Sequence, residues 1–112
     1  MINGMHLTAI GGCNVLLEPG VGLDPADPEA YVEPLLVYLR SAAAERLLYD
    51  MGNVYVIDQV YYDWLLRLHR ICRISGIELI TVNMRPPAAY ALSLMLNETP
   101  PFACALNVNE AR

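Results

Sequence analysis

The chain has 112 residues, of which 55% are hydrophobic and 17% charged, so it holds enough apolar material for the core of one domain. The formal net charge is −5, with a pI near 4.8. An acidic chain argues against nucleic-acid binding, which needs a clustered basic surface. No apolar stretch approaches the roughly 18 residues of a membrane span. The three cysteines form no C-x-x-C pair and the N-terminus lacks signal-peptide features, so we expect a cytoplasmic protein.

The N-terminal segment predicts a hairpin followed by a loop. Residues 6–10 and 14–18 have the composition of short strands, and Gly11 and Gly12 lie between them as a turn. Glycines, prolines and aspartates then recur every second or third residue from 19 to 28, which is typical of a loop.

The first helix is predicted to begin at Asp27, a good N-cap, with Pro28 at the first helical position. It should run toward Ala44. Pro34 lacks a backbone N–H and its ring crowds the preceding turn. We therefore expect either a kink near Glu33 or a helix that becomes regular only around Pro34.

A buried strand is predicted at 46–51, and after Gly52 and Asn53 an extended segment runs from 54 to 57. From Asp58 the apolar period becomes that of a helix, which Gly76 is placed to end. Its apolar face consists of Tyr61, Trp64, Leu65, Leu68, Ile71 and Cys72. Its polar face consists of Asp63, Arg67, Arg70 and Arg73, with Asp63 and Arg67 spaced as an ion pair.

The C-terminal part predicts a strand at 77–82 that is buried on both faces, a helix from Pro86 to about Leu96, and a last strand at 102–106. The helix should bury some of the residues Ala88, Ala91, Leu92, Met95 and Leu96. The resulting order, β-β-α-β-α-β-α-β, predicts an α/β domain with right-handed crossovers and an at least partly parallel sheet.

The sequence lacks the common motifs of catalysis and metal binding, including the P-loop, the dinucleotide-binding glycine pattern and H-E-x-x-H. His6 and His69 lie far apart in the sequence, so no metal site is predicted. Cys72 falls on an apolar helix face and Cys104 in a predicted core strand, where thiols are usually inert. We expect neither an enzyme nor a bound cofactor, although a nucleophile built on Cys72 or His69 is the catalytic alternative.

The start of the second helix is the most informative candidate site. Asp58 and Asp63 could serve acid–base catalysis, but a helix cap and an ion pair account for both. The helix begins at the carboxyl end of a strand, which is the edge where open α/β sheets bind ligands and partners. Tyr62 lies off the apolar stripe near Gln59, so it is predicted either to be an exposed contact residue or to lie flat on neighbouring side chains.

The segments 47–51 and 54–58 resemble the strand and loop of STAS domains, the anti-sigma factor antagonist fold, in which an Ile-Asp pair such as Ile57-Asp58 precedes the regulatory helix. Residues 76–82 and the following Arg85-Pro86-Pro87-Ala88-Ala89 resemble the next strand and helix start of that family. The resemblance covers nearly the whole chain and is nearest to the small bacterial stressosome scaffold proteins. It implies one STAS-like (SpoIIAA-like) domain over residues 1–112, with a mixed sheet of four to five strands and helices mainly on one face.

The same resemblance implies a non-enzymatic regulatory protein of stress and transcription signalling. Its partners would be a kinase-like anti-sigma factor or other STAS subunits, including copies of the chain itself. The expected partner-binding residues are Asn53, Tyr55, Asp58, Gln59, Tyr62, Asp63, Arg85 and Pro86.

One position departs from the family pattern. The family accepts phosphate on a serine or threonine that follows the aspartate, but here Gln59 and Val60 occupy those positions and neither has a hydroxyl. Either the domain is permanently competent to bind or the site has acquired another role. Regulation through another hydroxyl, such as that of Ser75 or Thr81, stays open. The alternative function is a small-ligand or nucleotide sensor that uses the helix N-terminus as an anion site.

Overall fold

A five-stranded sheet with the spatial order β1-β2-β3-β4-β5 forms the centre of the computed structural model, which describes residues 2–95 and 100–111. The elements in chain order are β1 Met5–Gly11, β2 Asn14–Pro19, α1 Glu29–Ser41, β3 Arg46–Asp50, α2 Gln59–Ile74, β4 Glu78–Val82, α3 Pro86–Met95, β5 Ala103–Cys104 and α4 Val108–Ala111. The predicted order of strands and helices is confirmed, and α4 is an addition that the sequence pattern did not indicate.

The sheet is mixed, as the resemblance implied. β1 and β2 pair in antiparallel register, with Met5 opposite Pro19, and the register shifts between Ala9 and Gly11 next to the hairpin turn. The other three neighbouring pairs, β2 with β3, β3 with β4 and β4 with β5, are parallel. The carboxyl ends of β2, β3 and β4 therefore meet at one edge of the sheet.

The two faces of the sheet are covered unequally. Alternate residues such as Leu47, Tyr49 and Leu79 are fully buried in a core shared with α1, α2 and α3. On the opposite face a smaller cluster of Leu48, Ile80 and Val82 packs against partly buried residues that include Val108 and Ala111 of α4. The helices thus lie mainly on one face, as predicted.

Helix α1 differs from the prediction at both ends. Its N-cap is Pro28, which has helical dihedral angles, φ −64° and ψ −28°. No side-chain hydrogen bond caps this end of the helix, so the prediction of Asp27 as the N-cap is wrong. The helix is already regular before Pro34, which lies inside it. It ends at Ser41 rather than near Ala44, since Ala43 has a φ of +50° that a helix cannot accept.

Helix α2 ends as predicted at Gly76, where φ is +75°. The N–H of Ile77 donates to the Cys72 carbonyl at 2.8 Å, and the N–H of Gly76 donates to the Arg73 carbonyl at 3.1 Å. This is a Schellman ending, which favours glycine because the left-handed conformation strains any residue that has a Cβ.

The predicted faces of the later helices are confirmed in large part. In α2, Trp64, Leu65, Leu68 and Cys72 are buried, while Tyr61 and Ile71 are half-buried at the border. In α3, Ala88 and Leu92 are buried and Ala91 is half-buried. Leu96 and the side chain of Met95 lie outside the described residues.

The last strand is shorter than predicted, and β5 pairs with β4 only through Ala103 and Cys104. Both side chains are exposed at this edge of the sheet. The prediction that Cys104 lies in the core is therefore wrong, and the buried residue of this segment is Phe102.

Candidate functional site

The two loops that follow β3 and β4 are bonded to each other. The backbone N–H of Met51 donates to the Val82 carbonyl at 2.8 Å, which extends the pairing by one residue. Beyond it, Oδ1 of Asp50 accepts from the N–H of Gly52 at 2.8 Å and from the side-chain amide of Asn83 at 3.2 Å. The Asp50 carboxylate thus holds together the starts of the loops that lead to α2 and α3.

Arg85 connects the same two loops at the surface. Its guanidinium carbon lies 4.7 Å from the centre of the Tyr55 ring, a cation–π contact, and its Nε donates to the Gly52 carbonyl. Tyr55 remains 57% exposed beneath this contact. The structure therefore brings together Tyr55 and Arg85, which are 30 residues apart in the sequence and were both predicted to contact a partner.

The first turn of α2 is held by polar side chains. Oδ1 of Asp58 accepts from the Tyr61 N–H at 2.8 Å, so the predicted cap is confirmed. The amide of Gln59 donates to Oδ1 of Asp63 at 2.9 Å across one helical turn. The predicted ion pair of Asp63 with Arg67 is wrong, because Arg67 instead pairs with Glu29 of the neighbouring helix α1.

Tyr62 does not belong to the exposed surface. It is only 8% exposed, and its ring centre lies 6.3 Å from that of Phe102, a residue that follows α3 in the chain. The predicted exposure of Tyr62 is therefore wrong. The exposed apolar side chains beside Tyr55 are Val56, at 67%, and Val60, at 46%. The exposure of Val56 was not predicted, because the short segment 54–57 belongs to no strand and has no periodicity that would indicate which side chains face solvent.

A buried hydrogen-bond chain anchors α2 to the sheet below this surface. The Trp64 indole N–H donates to the Tyr49 hydroxyl at 2.9 Å, and the hydroxyl oxygens of Tyr49 and Tyr61 lie 2.6 Å apart. Burial raises the pKa of Tyr61 to about 12, and burial together with the neighbouring Tyr61 raises that of Tyr49 well above 10. Both hydroxyls keep their protons at any physiological pH and act as hydrogen-bonding groups only.

A groove of about 520 Å³ lies beside the surface, between the loop after β2 and the segment before α2. Its lining is largely apolar and consists of Pro19, Gly20, Val21, Leu23, Asn53, Val54, Tyr55, Val56 and Tyr61. The nearby N-terminus of α2 already has the Asp58 carboxylate on one of its N–H groups. Because this carboxylate is negatively charged, the N-terminus of α2 is less suited to bind an anion than the sequence alone indicated.

Cys72 and His69, the two residues considered for catalysis, lie about one turn apart on α2. Cys72 is fully buried, and burial raises the pKa of its thiol to about 12, so it carries no thiolate at neutral pH. The His69 ring lies 6.5 Å from the Phe102 ring, while His6 sits on β1, with Nδ1 3.6 Å from Glu18 Oε1. Within residues 2–95 and 100–111, no three His, Cys, Asp or Glu side chains could jointly hold a metal ion, and no helix is long and apolar enough to cross a membrane.

Comparison with solved structures identifies the architecture. A serine-to-glutamate variant of RsbS from Moorella thermoacetica superposes with a TM-score of 0.72 at 20% identity, over 95% of this chain and 89% of that one. A chain from a structure of the stressosome, a signal integration and transduction hub, gives 0.76 at 19% identity, over 94% and 90%. TM1081 from Thermotoga maritima, a candidate anti-sigma factor antagonist, gives 0.72 at 15% identity, over 97% and 92%. No family model and no curated protein matches the sequence. The chain has the fold of STAS domains and resembles the stressosome proteins in structure.

Proposed function

We propose that the chain is a non-enzymatic regulatory STAS protein that binds protein partners through its α2-edge surface. This surface consists of Asn53, Tyr55, Val56, Asp58, Gln59, Asp63, Arg85 and Pro86. The observation that carries the proposal is the packing of Arg85 on Tyr55, which joins the two loops at the carboxyl edge of the parallel strands into one exposed surface. Partners of α/β sheets bind at this edge.

The composition of the α2-edge surface suits a protein partner. Exposed Tyr55 and Val56 supply an apolar centre, and Arg85, Asp58 and Asp63 surround it with charge. Protein interfaces have this arrangement of an apolar centre, rich in aromatic residues, within a polar rim. The structural neighbours include RsbS, a chain of the stressosome and a candidate anti-sigma factor antagonist. Kinase-like anti-sigma factors and other STAS subunits, including a second copy of the chain, are accordingly the proposed partners in a bacterial cytoplasm.

Binding through this surface is proposed to be independent of phosphorylation on serine or threonine. Gln59 and Val60 occupy the first turn of α2, where neither offers a hydroxyl. Thr81 is buried in β4, and Ser75 lies at the opposite end of α2. Gln59, whose amide donates to Asp63, therefore cannot gain the charge of a phosphate. The proposed domain stays permanently competent to bind.

Co-purification from the native host tests the proposal. A tagged wild-type chain should enrich a kinase-like anti-sigma factor or STAS subunits, identified by mass spectrometry, and Val56→Asp should lose them because it places a charge in the apolar centre. Ile74→Asp is the matched control, since Ile74 is 87% exposed at the far end of α2. Equal enrichment by wild type and Val56→Asp, or absence of both partner classes from the wild-type sample, would contradict the proposal.

Restoring the hydroxyl provides an independent test. Gln59→Ser places a serine in the first turn of α2, exposed as Gln59 is. We expect a captured kinase to phosphorylate this variant in the presence of ATP and the phosphorylated form to release the kinase, because phosphate adds about −1.5 to −2 charges beside Asp58 and Asp63. Phosphorylation without any loss of binding would show that α2 does not contact the kinase.

The groove of about 520 Å³ favours a small apolar ligand as a second candidate function, since its volume lies within the range of ligand pockets. A ligand present at 100 times its Kd adds about 2.7 kcal/mol to stability. Thermal-shift screens with nucleotides and with fatty acids separate this function from partner binding. A shift with either class, lost on Val21→Asp, would establish a sensor.

A further inference from the structure

A second groove, of about 660 Å³, lies between α1 and β1, the strand at one edge of the sheet. Apolar side chains form most of it, namely Ile2, Met5, Leu7, Pro34, Val37 and Tyr38. Val37 is 59% exposed in the middle of α1, and Pro34 one turn before it is exposed as well. β1 is an edge strand of seven residues that contains no proline, lysine or arginine, the residues that commonly protect such an edge.

The charges beside this groove lie on either side of Val37, with Glu33 about one turn before it and Arg40 about one turn after it. Glu33 and Arg40 are seven residues apart and lie on the same side of α1, because seven residues complete nearly two helical turns. Both side chains are exposed, and neither has an ionic partner among the residues that the structure describes. By contrast, Glu29 on the same helix is paired with Arg67.

A helix face with an acid and a base on either side of its centre is complementary to an antiparallel copy of itself. A two-fold axis close to Val37 places Glu33 of each copy opposite Arg40 of the other, so both ion pairs form at once. Such an interface is isologous, the arrangement of most protein dimers. The apolar side chains of one α1 then lie in the groove between α1 and β1 of the other copy.

We propose that the groove between β1 and α1 is occupied by α1 of a second copy of this chain, in an antiparallel two-fold dimer held by two Glu33–Arg40 ion pairs. The charges select this occupant. A partner that is uniformly acidic or basic would satisfy only one of the two residues, whereas a second copy satisfies both. The dimer surface is separate from the α2-edge surface, so the dimer leaves Tyr55 and Val56 free for another protein.

Charge reversal with sedimentation velocity is the test. We expect wild-type protein to dimerise at about 100 µM or below. Glu33→Arg alone and Arg40→Glu alone should each raise the dimer Kd at least about tenfold, because like charges then face each other across the axis. The combined Glu33→Arg/Arg40→Glu variant should restore the wild-type Kd to within about threefold. Arg73→Glu, at an exposed position of α2, is the matched control and should leave the Kd unchanged.

Several outcomes would overturn the inference. They are a wild-type monomer at all concentrations tested, a double variant no better than the single ones, and an effect of Arg73→Glu equal to that of Glu33→Arg.

Crosslinking gives a second measurement. Val37→Cys, in a chain whose exposed Cys13 and Cys104 are serines, should oxidise to a dimer, since residue 37 lies near the axis. Failure to crosslink, with wild-type circular dichroism, would place the interface elsewhere. Partner capture through Val56 should survive Glu33→Arg, so failure of the dimer and failure of the proposed function are distinguishable.

Discussion

Removing single hydroxyls from the buried Trp64–Tyr49–Tyr61 chain should have unequal effects on stability. Tyr49→Phe removes the hydroxyl that accepts from the Trp64 indole N–H. The Trp64 side chain is only 1% exposed. An unsatisfied buried donor costs about 1–3 kcal/mol, and the bond to Tyr61 is lost as well. We expect a loss of about 2–3 kcal/mol in the free energy of unfolding.

Tyr61→Phe should cost less, about 1–2 kcal/mol, because Tyr49 still accepts from Trp64 and only the Tyr49–Tyr61 hydrogen bond disappears, which leaves the buried Tyr49 hydroxyl without that partner. Once Tyr49 is phenylalanine, the Tyr61 hydroxyl has lost this partner, so adding Tyr61→Phe should cost almost nothing further. The double variant should therefore be as stable as Tyr49→Phe to within about 0.5 kcal/mol, which is a clear departure from additivity.

Urea unfolding followed by far-ultraviolet circular dichroism measures these differences without relying on the fluorescence of Trp64, whose surroundings change. The m-value should stay constant, and each kcal/mol should lower Tm by about 4 °C for a chain of this length. Tyr90→Phe is the matched control, since Tyr90 is 67% exposed, and its change should stay within about 0.5 kcal/mol. Equal costs for Tyr49→Phe and Tyr61→Phe, or additive costs in the double variant, would refute the reasoning.

Three further changes test other parts of the fold. Asp58→Ala should lower the free energy of unfolding by about 1 kcal/mol, whereas Asp58→Ser should retain most of it, because serine also caps helices; equal losses in urea titrations would argue against capping. Gly4→Ala should cost about 2 kcal/mol or more, since φ is +88° and a Cβ would lie 2.7 Å from the Leu23 backbone nitrogen; a Tm equal to that of the wild type would contradict this geometry. Raising the pH should destabilise the fold between about pH 9 and 12, because the unfolded chain releases the Cys72 and Tyr61 protons near pH 9 and 10, while the folded chain holds both up to about 12. The slope approaches about 1.4 kcal/mol per pH unit for each group, and an unfolding free energy that is flat across this range in urea titrations would be inconsistent with their burial.

Sequence patterns located β1 to β5, α1 to α3 and the capped start of α2, because glycines, apolar stripes and the Asp58 cap act within one or two turns. They failed where a partner comes from far along the chain. Tyr62 is buried by Phe102, forty residues later in the sequence. Arg67 pairs with Glu29 of another helix rather than with Asp63 of its own, although the spacing on α2 allowed the local pair. The exposure of Cys104 likewise depends on the position of β5 at the sheet edge, which local composition does not encode.

Side-chain contacts join the loops after β3 and β4 to each other. Asp50 holds Gly52 and Asn83, and Arg85 holds Gly52 and Tyr55. Immobilising a free side chain on binding costs about 0.5–1.5 kcal/mol, a cost that side chains already held in place largely avoid. Side chains already held at this edge therefore lose less conformational freedom when a partner binds. Association should proceed as rigid-body docking, with its rate set by orientation and diffusion rather than by ordering of the loops.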